Sequence, residues 1–317
     1  MDRAIKPETV RSNQGGSMSR NPRDLFAAAT AVCMQLAVAA GPTVDTAAIE
    51  SVTGLKGDNN KAENVFKISK PRDDVTISVD RWTMPPFMGL TSWAAFTPMA
   101  GSTMMMGDTV LFEDEVNPAM SAALEAGLEV TALHNHFFFD RPKVYFMHIG
   151  GMGDARHLAT GVKAVYDRVA QVRASQPKPA DAFGGTIATP SSLTAARIEE
   201  VLGAKAQVKD GMVKVSFGRE AKMHGTPVGN AMGVNTWAAF AGTDEQAVVD
   251  GDFAMREDEL QTVLKVLRRE GINIVAIHNH MTHEEPRYVF LHFWGKGKAA
   301  ALAQSLKRTL DAQKAVK

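Results

Sequence analysis

The chain contains most of itself twice, and this limits its fold more than any other feature. Residues 89–151 and 233–295 align without a gap, 144 residues apart, with 19 identities in 63 positions. They include Gly89/Gly233, Trp93-Ala94-Ala95-Phe96 against Trp237-Ala238-Ala239-Phe240, Gly107-Asp108 against Gly251-Asp252, and Glu113-Asp114-Glu115 against Glu257-Asp258-Glu259. Gly127/Gly271, Pro142/Pro286 and Gly151/Gly295 continue the series. Upstream, the stretch from Asp45 to Glu50 resembles that from Leu193 to Glu199, so each unit begins well before its Trp. A repeat of this length means one architecture built twice. The segment 174–189, rich in Pro, Ala and Gly, reads as a linker between units at 42–173 and 190–317.

Hydrophobic periodicity assigns the elements of each unit. A short helix at Thr46–Val52 (Thr194–Leu202) leads to an alternating strand, Val75-x-Ile77-x-Val79 (Val213-x-Val215-x-Phe217). The Trp-Ala-Ala-Phe strand follows, then a third strand near Thr109–Phe112 (Phe253–Met255). Leu260, Val263, Leu264 and Leu267 mark one apolar stripe of a helix. Its first turn carries the Glu-Asp-Glu run, as a helix N-terminus prefers, and Gly127 and Gly271 stop it. Two strands separated by a short turn and a closing helix finish the unit. The expected class is α+β, with two tandem units that each hold an antiparallel or mixed sheet and flanking helices.

The 317 residues are 45% hydrophobic and 22% charged, with formal net charge zero. Such a composition is globular and gives no electrostatic footprint for nucleic acid. The body has no 18-residue apolar stretch, so no transmembrane helix is expected in the mature chain. Residues 1–40 read as an N-terminal extension with a signal peptide: Met18 makes a better start, and an apolar run from Leu25 to Ala40 contains the small-x-small sequence Ala37-Val38-Ala39. The only cysteine, Cys33, lies in that run beside a poor lipobox. A mature chain would then hold no cysteine, and any metal would be held by imidazole and carboxylate.

The chemistry concentrates in His-Asn-His, at 134–136 and again at 278–280, each ending an apolar run. Alternation puts His134 with His136, and His278 with His280, on one strand face. A hairpin brings His148 or His292 from the next strand within side-chain reach. Three neutral imidazoles suit Zn, Ni or Cu. The second copy also has His283, with Glu284 and Glu285 beside it; the first has Asp140 at the position of Glu284. The candidate ligands are therefore His278, His280, His283, Glu284 and His292, with His134, His136, Asp140 and His148 as the pseudo-equivalent set. Trp93 and Trp237 read as core aromatics, the Glu-Asp-Glu runs as helix-start charges, and Met104-Met105-Met106 as strand filling. Three readings follow: a protein that binds a metal ion or small polar ligand, a metal-dependent hydrolase with Glu284 or Glu285 as base, or a structural protein whose histidines pack. The sequence contains no Gly-x-Ser-x-Gly, P-loop or dinucleotide fingerprint.

Four stretches resemble one known family: Trp237-Ala-Ala-Phe-Ala-Gly, Asp250-Gly-Asp-Phe-Ala-Met, Ile277-His-Asn-His-Met-Thr and the run from Pro286 to Gly295. They look like the LppY/LpqO family, bacterial secreted proteins and lipoproteins classed as a domain of unknown function. The resemblance implies export to the periplasm or outside, and a duplicated architecture. It brings no activity. Without a convincing lipobox, soluble export is the form it implies here.

Overall fold

The computed structural model describes residues 43–316. The candidate signal segment, Met18 and Cys33 lie outside them. Among the described residues no helix is long and apolar enough to cross a membrane.

The first repeat runs α1 (Thr46–Thr53), β1 (Gly57–Asn60), β2 (Val65–Pro71), β3 (Ser78–Val79), β4 (Trp82–Thr83), β5 (Thr91–Met99), β6 (Ser102–Phe112), α2 (Glu113–Glu125), β7 (Glu129–His134), β8 (Asp140–Arg141), β9 (Val144–Gly153) and α3 (Ala155–Ser175). The second follows the same order: α4 (Ala195–Leu202), β10 (Ala206–Lys209), β11 (Met212–Gly218), β12 (Ala221–Met223), β13 (Thr226–Val228), β14 (Asn235–Gly242), β15 (Ala247–Arg256), α5 (Leu260–Arg269), β16 (Asn273–His278), β17 (Glu284–Glu285), β18 (Tyr288–Gly297) and α6 (Ala299–Ala315). Each strand of the second repeat thus carries the number of its counterpart plus nine.

The repeats do not form separate sheets. One 12-stranded sheet runs β1-β2-β5-β6-β9-β7-β16-β18-β15-β14-β11-β10, antiparallel at every pairing, and its two halves read identically from opposite edges. They meet at Leu133 opposite Ile277. On each side of that junction a bulge breaks the ladder, at Val130/Ala132 and at Ile274/Ala276. The helix of the opposite repeat satisfies the bulged backbone. Asn117 of α2 donates to the Ile274 carbonyl (3.1 Å) and accepts from its N–H (2.7 Å). Gln261 of α5 does the same for Val130, at 2.8 and 3.1 Å. Asn117→Ala is expected to leave a buried N–H and C=O without partners and to cost about 2–4 kcal/mol. Urea unfolding measures this loss, and an unchanged midpoint would contradict the clamp.

The six α-helices of the described residues pack on one face of the sheet. Residues such as Ile49, Val116, Leu158, Ile198, Leu264 and Leu302 share a single core with Phe96, Leu133, Ile277 and Phe293. Gly127 and Gly271, at φ 79° and 75°, end α2 and α5 as the sequence requires. The N–H of the next residue closes back on Ala123 or Leu267 at 2.9 Å in each.

On the opposite face each repeat carries a small three-stranded sheet, β4-β3-β8 or β13-β12-β17. Beneath these lie two smaller cores, one with Ile77, Val110 and Phe146, the other with Val228, Ala254 and Phe290. Phe146 and Phe290 are almost fully buried, and each contributes on the order of 1.5–3 kcal/mol. They also form the platforms of the candidate site.

Two expectations about strands are corrected. The counterpart of Val213–Phe217 is β2, whose Phe66 and Ile68 face Phe96 and Ala94 as Val213 and Val215 face Phe240 and Ala238. Val75-x-Ile77-x-Val79 alternates equally well but leads into the small sheet. The third strand is far longer than its apolar end, because Met104 and Met106 are exposed and alternate with buried Met105.

Candidate metal centre

Strand register decides which side chains meet on the open face. In the second repeat one row reads Trp237, Asp252, His292 and Ala276 across β14, β15, β18 and β16. The adjacent row holds His278 opposite Phe290, with Ala254 beyond. The first repeat repeats both rows, with Trp93, Asp108, His148 and Ala132, then His134 opposite Phe146. The strand ends at His134 or His278, so His136 and His280 lie just past it. Each is held there by stacking on the phenylalanine below: His136 on Phe146 at 3.3 Å between centroids, His280 on Phe290 at 3.5 Å.

Asp252, His278 and His280 form a group that can hold a metal ion, with ligand atoms all within 4.8 Å of one another. His280 Nε2 lies 3.1 Å from His278 Nε2 and 3.1 Å from Asp252 Oδ2. The other ring nitrogen of His280, Nδ1, is 3.3 Å from the Gly233 carbonyl. A carbonyl only accepts, so Nδ1 carries a proton, and the Nε2 edge of the ring is the one that faces Asp252. Metal-binding histidines are usually oriented by such a bond. Asp252 Oδ1 accepts from the Leu291 N–H at 3.1 Å, which leaves Oδ2 for the group. Two such atoms 3.1 Å apart are joined either by a proton on Nε2 or by a cation that both of them ligate.

His292 does not join this group. Its ring stacks on His278 at 4.7 Å with an interplanar angle of 7°, and its Nδ1 donates to the Gly251 carbonyl at 3.2 Å. Glu284 is also elsewhere: it is buried, and its Oε1 accepts from the Tyr288 N–H at 3.1 Å. Asp140 does the same with Val144 N–H at 2.6 Å. Both acids therefore close their own turns, and the carboxylate beside the histidines comes from Asp252 or Asp108 instead. Glu285 pairs with Lys222 in the small sheet, and His283 lies 5.5 Å from the ring of His224. The one sequence signal for Asp252 was the Gly-Asp pair retained at 107–108 and 251–252. Trp237 is no core residue: it meets His292 edge-on at 6.4 Å, with Lys214 Nζ 4.2 Å above its ring.

The first repeat is arranged differently. His134 and His148 approach through Nε2 at 3.0 Å, while His136 lies on Phe146. Asp108 is buried, and its Oδ1 has no hydrogen-bond partner.

Burial raises the pKa of Asp252 above the ordinary carboxylate value, against the pull of His292 and His280. Burial likewise raises Asp108, against His148, His136 and His134, and it lowers His136. His278 is pushed down to about 4, first by burial and then by its neighbours His292 and His280. Its imidazole is thus neutral, as a ligand must be, well into the acid range. Between pH 6.5 and about 4 the unfolded chain protonates this histidine and the folded chain does not, so stability falls as pH falls through that window. The raised carboxylates act in the opposite sense, above pH 3.8. Metal-free His278→Gln is therefore expected to lose less stability than wild type between pH 6.5 and 4.5, measured as paired urea midpoints. Equal losses would contradict the assignment.

Residues 47–168 and 196–312 each match the family described as Domain of Unknown Function (DUF1259). The chain belongs to this family. It holds two DUF1259 domains, and the candidate metal group lies wholly in the second. No curated protein matches the chain in sequence. Solved structures with similarity include a trimeric bacterial microcompartment shell protein, PduB, 9% identical, covering 81% of this chain and 89% of that one at a TM-score of 0.22. EtuB from Clostridium kluyveri is 11% identical, with 81% and 90% covered, also at 0.22. EutL from Clostridium perfringens is 9% identical, with 67% and 79% covered, at 0.19.

Proposed function

We propose that the second DUF1259 domain binds a divalent transition metal ion through Asp252, His278 and His280. The observation that carries this reading is the convergence of Asp252 Oδ2 and His278 Nε2 on His280 Nε2, each at 3.1 Å. Two imidazoles and one carboxylate suit zinc, nickel or copper, and they leave coordination positions for a small polar ligand. Binding is favoured over hydrolysis because neither expected base joins the group: Glu284 is engaged by the Tyr288 amide, and Glu285 pairs with Lys222 in the small sheet. The resemblance to the LppY/LpqO family adds export to the proposal, and the N-terminal sequence of the mature protein tests that part.

The metal reading is tested by elemental analysis of the protein purified without a His tag, beside the triple variant Asp252→Ala, His278→Ala, His280→Ala. About one ion per chain in wild type, lost in the variant, is the expected result. Added metal at 100 times its Kd should also stabilise wild type by about 2.7 kcal/mol. Absence of both effects with zinc, nickel and copper would overturn the reading.

A further inference from the structure

Beyond His292 the strand β18 continues along the open face to Trp294 and Lys296, each two residues on and so on the same side. Asp250 of β15 lies opposite Trp294. The segment after α3 crosses this region, and Lys296 Nζ holds it by donating to the carbonyls of Phe183 (3.1 Å) and Gly185 (3.4 Å). Phe183, Asp250, Val275, His292, Trp294 and Lys296 together line an open groove of about 570 Å³. Small-molecule sites have volumes in this range. One end of the groove is His292, whose ring stacks on the candidate ligand His278.

The first repeat has no such groove-forming set. Met106, Gly150 and Met152 occupy the positions of Asp250, Trp294 and Lys296, as the pairing of Met106 with Gly150 confirms. The aromatic and charged lining therefore belongs only to the repeat whose Asp and His atoms converge.

We propose that this groove binds a small organic acid with a planar apolar body, its carboxylate on the metal and its body on Trp294. This rests on the metal reading above. A divalent ion held by one carboxylate and two neutral imidazoles keeps a net positive charge and open positions, which call for an anionic donor. Trp294 offers a ring face and Phe183 an apolar wall, a setting that selects a flat body over a bare acetate. Lys296 adds positive charge at the far end, opposed by Asp250. Trp294 lies one two-residue step, about 7 Å, beyond the row of Asp252 and two steps beyond that of His278, so an acid with two fused rings is what reaches from the metal toward it.

The test uses the full chain loaded with Co(II), titrated with 1-naphthoate and with acetate while the visible Co(II) spectrum is followed. Both anions are expected to shift the spectrum, with naphthoate binding about 10-fold more tightly. Trp294→Ala should take up Co(II) undiminished, bind acetate as wild type does, and lose the preference for naphthoate. Phe183→Ser should reduce the preference without touching the sheet. Co(II) uptake with no preference in wild type, or a preference intact in both variants, overturns the groove proposal alone. No Co(II) uptake at all overturns the metal reading, and this proposal with it.

Discussion

Glu115→Ala is expected to destabilise the protein by about 3–5 kcal/mol. The Glu115 side chain is fully buried and faces two buried guanidinium groups, Arg72 and Arg173. Arg72 meets it with both terminal nitrogens, at 2.5 and 2.6 Å, and Arg173 Nε lies 2.6 Å from Oε1. The same carboxylate accepts the Phe112 N–H at 2.9 Å, which closes the first turn of α2. Truncation leaves Asp74 and Asp114 as the remaining carboxylate partners of these two arginines and opens the helix end. For a chain of this size the midpoint of thermal unfolding should fall by about 5–10 °C. Glu259 occupies the matching position, but its partner Arg219 is 23% exposed. Water can take over part of that interaction, so Glu259→Ala should cost clearly less. Equal losses at the two positions would show that burial of the arginines does not set the cost.

Changing His278 or His280 singly to Ala is expected to weaken metal binding by at least about 100-fold. Losing an orienting partner of a ligand already costs 10–100-fold, and these residues are ligands themselves. His292→Ala should have a smaller effect, since His292 supports His278 by stacking and lies outside the ligand group. The equivalent changes at His134 and His136 should leave the affinity of the second domain unchanged. Competition with a chromophoric chelator measures all of these. Loss of binding from His134→Ala would move the site to the first repeat.

How much of this was legible in the sequence depends on whether a feature is local. The duplication, the α+β class, the helix stops at Gly127 and Gly271 and the apolar stripe of α5 are local, and the structure bears them out. His278 and His280 were legible as a pair from alternation, and the hairpin brings His292 beside them, while His283 lies apart at His224. The carboxylate was not legible. Asp140 and Glu284 adjoin the histidines in sequence, yet they cap their own turns, while Asp252 arrives from β15 through a pairing with His292 that no local pattern encodes. The union of the two repeats was hidden for the same reason. It rests on the pairing of Leu133 with Ile277, on the core the two repeats share, and on amides that reach across to the other repeat, Asn117 to Ile274 and Gln261 to Val130. Trp237 looked like core because tryptophan usually is; only the register shows that it faces the histidines.

The most direct test of the central claim is anomalous diffraction from crystals of the protein soaked in zinc and measured on both sides of the zinc edge. A single strong peak is expected about 2.0–2.2 Å from the nearest imidazole nitrogens of His278 and His280 and from a carboxylate oxygen of Asp252. A peak bound instead by Glu284 or by surface histidines, or none at this group, would contradict it.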